Sequence, residues 1–213
     1  MIISYSNDFV AIRPPKTGST SLVFYFLHSG LVDAEKDLYI IDEDVLCKAP
    51  DKYKQEGRYK NMHRTFDDLR ANGAIPAEMP CVSTIRNPLE RLSSWFNFRQ
   101  AIHLKHDNRI PEEYADPNVH WDYIKAKQIN YLPQSDYFPD HAELFNTENL
   151  HEHVSKYILE RGGKVDGRIE IRKNPDNKLD VFLAELTPDR KQDILDTYAK
   201  DFELWEKAYA VYN

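Results

Sequence analysis

The sequence predicts an α/β protein with a mostly parallel central sheet flanked by helices. Apolar runs rich in strand-forming residues lie at 9–12, 81–85 and 142–145, and a segment with helix-spaced apolar residues follows each run. Strands that alternate with helices are typical of parallel sheets. The length of 213 residues suits one domain, 1–213, with a single hydrophobic core.

The first predicted unit is a strand, a loop and a helix. The strand formers at 9–12 are followed by Arg13-Pro14-Pro15, which ends the backbone pairing because proline lacks a donor. A helix is predicted from Gly18 to Ser29. The residues that share its apolar face are Leu22, Phe26 and Leu27. The loop between strand and helix is therefore short and rich in polar residues.

The next predicted elements are a strand that ends on a histidine and a short helix. The acidic stretch 33–57 lacks a regular period, so we predict a mobile or partly helical connection there. Residues 59–63 are predicted as a short strand, which places His63 at its end. A helix is predicted over 65–72. Thr65 can cap it, Asp68 stands three residues on, and Gly73 can end it.

A long helix is predicted after the strand at 81–85. Asn87-Pro88 supplies a cap and a first-turn proline, so the helix should run from 89 to about 104. Its predicted core stripe consists of Leu89, Leu92, Trp95 and Phe96. At about 100° per residue, Arg91 and Ser94 lie near each other and away from the centre of that stripe. Both side chains can therefore face a ligand.

Two further helices are predicted near the C-terminus. After the strand at 142–145, one helix is marked by Leu150, Val154, Tyr157 and Ile158 and closed by Gly162-Gly163. Thr187-Pro188-Asp189 is predicted to open a last helix. The stripe of that helix consists of Ile194, Tyr198, Phe202, Trp205 and Tyr209.

Composition and charge exclude several classes of protein. The net charge of −7 argues against general binding of nucleic acid or anionic membranes, which requires a basic field. No stretch has the length of a membrane span, and the first residues lack the features of a signal peptide. The two cysteines, Cys47 and Cys81, could form a disulfide, but so few in a chain of this size are interpreted as reduced thiols. We therefore expect a soluble cytoplasmic protein.

The segment PKTGSTSL at 15–22 predicts a local anion site. Backbone N–H groups at the start of a helix point at an anion, and Lys16 with neighbouring hydroxyl side chains adds donors. The common nucleotide-triphosphate loop places glycine before lysine, whereas Gly18 follows Lys16 here, so the loop does not identify ATP. The alternative interpretation is a hydroxyl-rich turn that only caps a helix.

The segment RNPLERLSS at 86–94 predicts a second anion contact. Arg86 follows a strand directly, and Ser94 lies two turns into the next helix, so guanidinium and hydroxyl could converge on one phosphate. Considered alone, Arg86 and Arg91 are also typical of surface salt bridges. In an open α/β sheet, ligands bind beyond the carboxyl ends of the strands, where both segments should lie.

Together the two segments resemble a known family. PKTGSTSL is similar to the 5′-phosphosulfate loop, and RNPLERLSS to the 3′-phosphate motif R-x-P-x-x-R-x-x-S, of sulfotransferases that use 3′-phosphoadenosine 5′-phosphosulfate (PAPS). Looser similarity to the carbohydrate-type branch covers LPQSDYF at 132–138, FNTENL at 145–150 and the segment 186–206. The resemblance implies a parallel α/β fold of the P-loop-kinase-like sulfotransferase type.

The resemblance also implies roles for particular residues. Lys16 would bridge the transferring group and the leaving phosphate, and His63 would be the general base, although a structural or exposed histidine remains the alternative. The residues around the 5′ end would be Lys16, Thr17, Gly18, Ser19, Thr20 and Ser21, and those at the 3′-phosphate Arg86 and Ser94. A basic loop that closes over the donor would lie in 168–177, with Arg172 or Lys173 as candidates. No acidic residue stands in CVSTIRN to hold Mg²⁺, so no metal is expected.

The first functional hypothesis is a sulfotransferase that acts on a hydroxyl of a glycan or small molecule and releases adenosine 3′,5′-bisphosphate (PAP). Trp95, Trp121 and Tyr137 could stack on a sugar, although each also has a structural explanation. The chain is short for the family, so the acceptor pocket is either trimmed or completed by a partner subunit, which leaves a homo-oligomer open. The alternatives are an ATP-dependent, kinase-like enzyme and a nucleotide-binding module without catalysis.

Overall fold

An open five-stranded sheet lies at the centre of the part of the chain that the structure describes. The structure is a computed structural model that describes residues 1–39, 63–127, 132–166 and 179–210. The strands are β1 (Ile2–Ser4), β2 (Phe9–Ile12), β3 (Leu38–Tyr39), β4 (Cys81–Ile85) and β5 (Glu143–Asn146). Their order across the sheet is β3-β1-β2-β4-β5.

The strand directions confirm the predicted α/β class and the mostly parallel sheet. β2 pairs with β4 in parallel, and β4 pairs with β5 in parallel. β1 is antiparallel to both β2 and β3, so β1 alone runs against the other four described strands. The sequence analysis did not predict β1, which is only three residues long and joins β2 through a tight turn at 5–8. Such a short strand carries too few residues to show a period.

The helices of the described residues follow the strands and cover both faces of the sheet. In chain order they are α1 (Ser19–Ser29), α2 (Phe66–Ala71), α3 (Pro88–Asp107), α4 (Pro117–Lys127), α5 (Leu150–Glu160), α6 (Leu179–Glu185), α7 (Pro188–Thr197) and α8 (Ala199–Ala210). Single 3-10 turns lie at Glu112–Tyr114 and Gln134–Asp136. The predictions for α1, α2, α3 and α5 are confirmed within a few residues, and α4 and α6 were not predicted.

The predicted helix caps are present. Thr65 accepts a hydrogen bond from the Asp68 N–H at 3.0 Å, and the Asp68 carboxylate accepts from the Thr65 N–H at 3.2 Å. The Asn87 side chain accepts from the Leu89 N–H at 3.0 Å at the start of α3. These contacts satisfy backbone donors that have no partner within the helix. The caps therefore set where α2 and α3 begin.

The two faces of the sheet bury different sets of side chains. Phe9, Val82 and Phe145 pack against α1 and α5 on one face. Val10 and Ile85 lie on the other face with α2 and the end of α8. Successive side chains of a strand point to opposite faces, and burial on both faces explains why the strand sequences are continuously apolar.

The predicted last helix is in fact two helices, and this prediction was wrong. α7 ends at Thr197 and α8 begins at Ala199, with Tyr198 between them. Tyr198 is fully buried with Ile194 and Trp121 in a third apolar cluster, whereas Trp205 packs on the sheet-side cluster. The apolar residues predicted as one stripe therefore pack into two different clusters. The break between α7 and α8 at Tyr198 allows Ile194 to reach one cluster and Trp205 the other.

Several predictions fall outside the described residues. These are the strand residues 59–62, most of the 33–57 connection, Cys47, and the basic segment 168–177 with Arg172 and Lys173. Cys81 is described and is a free, buried thiol, with a pKa raised by burial. Among the described helices, none is long and apolar enough to cross a membrane.

His120 should make the fold sensitive to acid. It is 1% exposed, its Nδ1–H donates to the Glu113 carbonyl at 3.2 Å, and burial lowers its pKa to about 4. The unfolded chain, with a histidine pKa of about 6.5, then binds a proton that the folded chain excludes, so stability falls as pH decreases through this range. At pH 5 this contribution costs about 2 kcal/mol relative to pH 7.

Urea denaturation of the wild type and His120→Gln at pH 7 and pH 5 tests this prediction. The wild type should lose about 2 kcal/mol more than the variant between the two pH values. An equal loss in both proteins would show that other groups determine the acid sensitivity.

Candidate functional site

The candidate site lies where the carboxyl ends of β2, β4 and β5 meet. β2 is followed by the loop at 13–18, β4 by Arg86, and β5 by Thr147. The Thr147 hydroxyl donates to the Ile85 carbonyl at 2.9 Å, and it lies 3.2 Å from the Thr17 carbonyl. Neighbouring parallel strands thus bring together segments that are far apart in sequence, as expected for an open α/β sheet.

The loop before α1 has an unusual backbone. Lys16 and Gly18 both have positive φ, 64° and 73°. For Lys16 this conformation costs about 1–2 kcal/mol. A Cβ at Gly18 would lie 3.1 Å from Thr147 Cγ2, so the position needs glycine for space as well as for conformation. This turn leads directly into α1, whose first N–H groups lack carbonyl partners one helical turn earlier, as at any helix start.

Two of the hydroxyl groups predicted to face an anion are used inside the loop. Thr17 and Ser19 are buried, and both hydroxyls donate to the Pro14 carbonyl, at 2.9 Å and 3.1 Å. Thr17 Oγ1 also lies 2.7 Å from Thr84 Oγ1 on β4. Since a hydroxyl has one proton, Thr84 must donate in that contact. These two side chains shape the loop, and a contact of Thr17 or Ser19 with an anion stays a prediction.

Thr20 is the exposed hydroxyl of this group. Its Oγ1 accepts from Arg13 Nη2 at 2.9 Å, and Arg13 is 1% exposed. Ser21 is partly buried and its N–H donates to the Gly18 carbonyl at 2.9 Å. The sequence analysis had treated Arg13 only as the end of the strand. In the fold it joins that strand end to the first turn of α1.

Lys16 is partly buried beside an exposed aromatic ring. Its Nζ lies 4.1 Å from the centre of the Phe98 ring, within the range of a cation–π contact. Burial first, and the positive charge of Arg86 second, lower the Lys16 pKa to about 8. The ammonium group is therefore poorly solvated and close to a second cation, and an anion placed between them would relieve both effects.

Arg86 lies next to the loop and forms an ion pair with Glu90 in the first turn of α3. Its Nε donates to Glu90 Oε2 at 3.2 Å, and its Nη1 lies 3.5 Å from the Lys16 carbonyl. Ser94 is buried further along α3. Within the described residues, no hydrogen bond joins Arg86 to Ser94. The structure therefore brings Arg86 to the backbone of Lys16, and the role of Ser94 at a 3′-phosphate stays a prediction.

Arg91 is buried and contacts backbone carbonyls, whereas the sequence suggested either a ligand contact or a surface salt bridge. It is 5% exposed, so it is not a surface ion-pair partner. Its Nε donates to the Pro15 carbonyl at 3.0 Å and its Nη1 to the Leu132 carbonyl at 3.1 Å. Two nitrogens of the guanidinium thus hold backbone carbonyls, one of them in the loop, and a contact of Arg91 with a ligand stays a prediction.

His63 lies beside the same loop. Its Nδ1 lies 2.7 Å from the Arg13 carbonyl. A carbonyl only accepts hydrogen bonds, so Nδ1 carries the proton and the neutral ring has its lone pair on Nε2. This tautomer is the one that a general base at Nε2 requires.

The aromatic residues considered for sugar stacking are mostly internal. Trp121 is 1% exposed and Tyr137 is 3% exposed, so neither offers a stacking surface. Trp95 is only partly buried and lies against Phe98, with ring centres 5.9 Å apart. Phe98 is 43% exposed. The exposed aromatic surface beside Lys16 is therefore formed by a residue that the sequence analysis did not select.

Two further residues near the site were also missed. Gln134 and Asp201 are both 0% exposed; Gln134 forms hydrogen bonds with the backbone of Arg86, and Asp201 with Gln134. Asp201 stands three residues after Tyr198 and four before Trp205, which places it on the apolar face of its helix. An acidic residue on an apolar helix face is unusual, and this signal in the sequence could have identified Asp201. Gln134 stands within LPQSDYF and was quoted only for the resemblance.

The comparisons with known proteins add no family. Comparison of the chain with protein-family models found no matching family, and comparison with curated proteins found no match. Within the residues that the structure describes, no three His, Cys, Asp or Glu side chains are grouped to hold a metal ion. The chemistry of the site must therefore be argued from the chain's own residues.

Proposed function

We propose that the protein is a sulfotransferase that moves a sulfuryl group from PAPS to a hydroxyl of a glycan or small molecule. The observation that carries this proposal is the convergence of Lys16, Arg86 and the start of α1 at one edge of the sheet. The two cations come from segments after different strands. Two anionic groups on one nucleotide suit such a pair better than a single phosphate does.

The residues of the site suit the two ends of this donor. Lys16 and the N–H groups at the start of α1 would hold the 5′-phosphosulfate, because a helix N-terminus favours negative charge. Arg86 would hold the 3′-phosphate with a planar, permanently charged group. It would exchange its contact with Glu90 for one with the phosphate. The P-loop-kinase-like sulfotransferase fold is part of this proposal.

The chemistry assigned to the protein is mainly positioning and charge stabilisation. In sulfuryl transfer, the bond from sulfur to the acceptor oxygen forms while the bond from sulfur to the leaving phosphate oxygen breaks. By analogy with phosphoryl transfer, the transition state is loose and in line, and little covalent work falls to the protein. Lys16 would balance the charge that develops on the leaving oxygen, and His63 Nε2 would accept the hydroxyl proton.

The surface beside Lys16 supports an acceptor that is partly apolar. Phe98 exposes 43% of its area next to the Lys16 ammonium. A sugar ring has an apolar face, and so do many small alcohols, so this ring is compatible with both. The identity of the acceptor is a matter for screening. Cytoplasmic location and homo-oligomer formation remain proposals that accompany the enzyme hypothesis.

Calorimetric titration with PAP, in chelator, tests the donor class without an acceptor. The proposal requires metal-free binding that is much tighter for PAP than for adenosine 5′-phosphate. Binding that requires Mg²⁺ and prefers ATP would support the kinase-like alternative instead. Donor binding together with failure to transfer sulfate to any hydroxyl acceptor would support a non-catalytic nucleotide-binding module.

Arg86→Ala should selectively remove the recognition of the 3′-phosphate. Hydrogen bonds to charged groups contribute about 1.5–3 kcal/mol, so affinity for PAP should fall about 10- to 100-fold. Affinity for adenosine 5′-phosphate should change by about twofold or less, since that ligand lacks the group Arg86 holds. The same titrations measure both values.

Arg70→Ala is the matched control, because Arg70 also forms an ion pair with a nearby acidic side chain, Asp67, but lies on α2. It should bind both nucleotides as the wild type does. Equal losses for the two ligands in Arg86→Ala would remove Arg86 from this role.

A further inference from the structure

The carboxylate of Asp201 is buried on α8 and holds the turn at Gln134–Asp136. It accepts hydrogen bonds from the N–H groups of Gln134 and Ser135, at 2.6 Å and 2.8 Å, one on each oxygen. Arg91 Nη1 lies 3.9 Å from Oδ2 and supplies a positive charge. A buried carboxylate is tolerated only with such partners, so this group is fully committed to its surroundings.

The first connection from Asp201 leads to the backbone of Arg86. Gln134 Oε1 accepts from the Arg86 N–H at 2.9 Å, and Gln134 Nε2 donates to the Arg86 carbonyl at 2.9 Å. The side-chain amide thus pairs with both backbone groups of one residue, as a neighbouring strand would. Gln134 Nε2 also lies 3.3 Å from Asp201 Oδ2. Gln134 therefore fixes the backbone of Arg86, the residue that directly follows β4.

The second connection leads to the loop before α1. Arg91, beside Asp201, donates from Nε to the Pro15 carbonyl at 3.0 Å. Pro15 directly precedes Lys16, whose backbone has positive φ. Holding Pro15 restrains the strained residue that follows it. One buried carboxylate is thus linked to both cationic segments of the candidate site.

We propose that Asp201 and Gln134 are positioning residues that set the Arg86 segment relative to the Lys16 loop, an inference that rests on the proposed function. Within the described residues, no hydrogen bond joins either one to the Lys16 or Arg86 side chain. Gln134 holds the Arg86 backbone, and Asp201 acts through Gln134 and Arg91. A donor held at two ends requires a fixed separation between the two cations. A shift of about 1 Å in such a site can cost about 10²-fold in rate.

The two residues should differ in their effects on binding. Gln134 holds only the Arg86 segment, so Gln134→Met should weaken PAP about tenfold and change adenosine 5′-phosphate by less than about twofold. Asp201 supports both connections, so Asp201→Asn should weaken both nucleotides about tenfold. A general loss of stability would not produce a selective loss of 3′-phosphate recognition.

Two matched controls separate positioning from stability. Gln100→Met removes a comparable side-chain amide that is not part of this network. The amide donates to the Tyr114 carbonyl at 2.7 Å. Asp37→Asn changes a carboxylate that is 4% exposed and accepts backbone N–H groups from Ser6 and Asp33. The Ser4–Phe9 pairing places it at the opposite edge of the sheet. Both controls should bind PAP and adenosine 5′-phosphate as the wild type does.

Calorimetric titration of all variants with PAP and adenosine 5′-phosphate tests the inference, with thermal unfolding to confirm that each protein is folded. An unchanged ratio of the two affinities in folded Gln134→Met would overturn it. Gln134→Glu, of nearly the same size, replaces that variant if it does not fold, and should show the same selective loss. Failure of both to fold would also overturn it, because Gln134 would then be needed for the fold itself. If the wild type lacks binding that depends on the 3′-phosphate, the proposed function fails and this inference with it.

Discussion

Replacement of His63 by alanine is expected to lower the rate of sulfuryl transfer by about 10²- to 10⁴-fold, the usual contribution of a general base. The acceptor hydroxyl must lose its proton as the new bond forms. The contact from Nδ1 to the Arg13 carbonyl leaves Nε2 as the basic nitrogen. Affinity for the donor should stay nearly unchanged, because the base acts on the acceptor. Transfer of radiolabelled sulfate from PAPS to an acceptor found by screening measures the rate.

Two further variants separate the loss of the base from the loss of its contact. His63→Gln can keep a donor to the Arg13 carbonyl while it removes the basic nitrogen, and it should be as slow as His63→Ala. His106→Ala changes an exposed histidine in the last turn of α3 and should leave the rate unaltered. Full activity in His63→Gln would show that the base lies elsewhere.

Replacement of Lys16 by methionine is expected to lower the rate by about 10²- to 10³-fold, as does removal of one group that stabilises a developing negative charge. Methionine keeps the length and apolar contact of the side chain beside Phe98 but removes the charge. Donor affinity should fall as well, because the same ammonium would face the ground-state phosphosulfate. Wild-type rate and affinity in Lys16→Met would exclude Lys16 from the site.

The lowered pKa of Lys16 predicts how donor binding depends on pH. With a pKa of about 8, Lys16 is charged at neutral pH and loses its proton as pH rises. The charged form binds the anion, so affinity for PAP should be level below pH 8 and fall by up to about tenfold per pH unit above it. Titrations from pH 6.5 to 9.5 measure this change. In Lys16→Arg the decline should disappear, because a guanidinium stays protonated. The same decline in that variant would assign it to another group.

The local features of the fold could be predicted because their signals lie within a few residues. The caps at Thr65 and Asn87 and the apolar face of α1 depend on neighbours one to four positions away. The loop that carries Lys16 and Gly18 before α1 could also be recognised from neighbouring residues. The sequence therefore predicted α1, α2, α3 and α5 and the strands that form the parallel part of the sheet.

Prediction was weaker where a side chain has two plausible surroundings. Arg91 has the same helical position whether it faces solvent, a ligand or a backbone carbonyl. Helical periodicity gives the side of the helix but not what lies on that side. The bend at Tyr198 was missed for a related reason, since one continuous stripe fits a single helix as well as two helices on different cores.

The sequence by itself determined the α/β class, the starts of α1 and α3, and the two segments that carry Lys16 and Arg86. Only the tertiary structure decided how those segments are held. The Arg91 contact with Pro15 spans 76 positions, and the contact of Gln134 with Asp201 spans 67. A hydrogen bond over such a separation exists only after the sheet has brought its strand ends together and α8 has packed against them. No local pattern records that event, and so the support beneath the site appeared only in the folded chain.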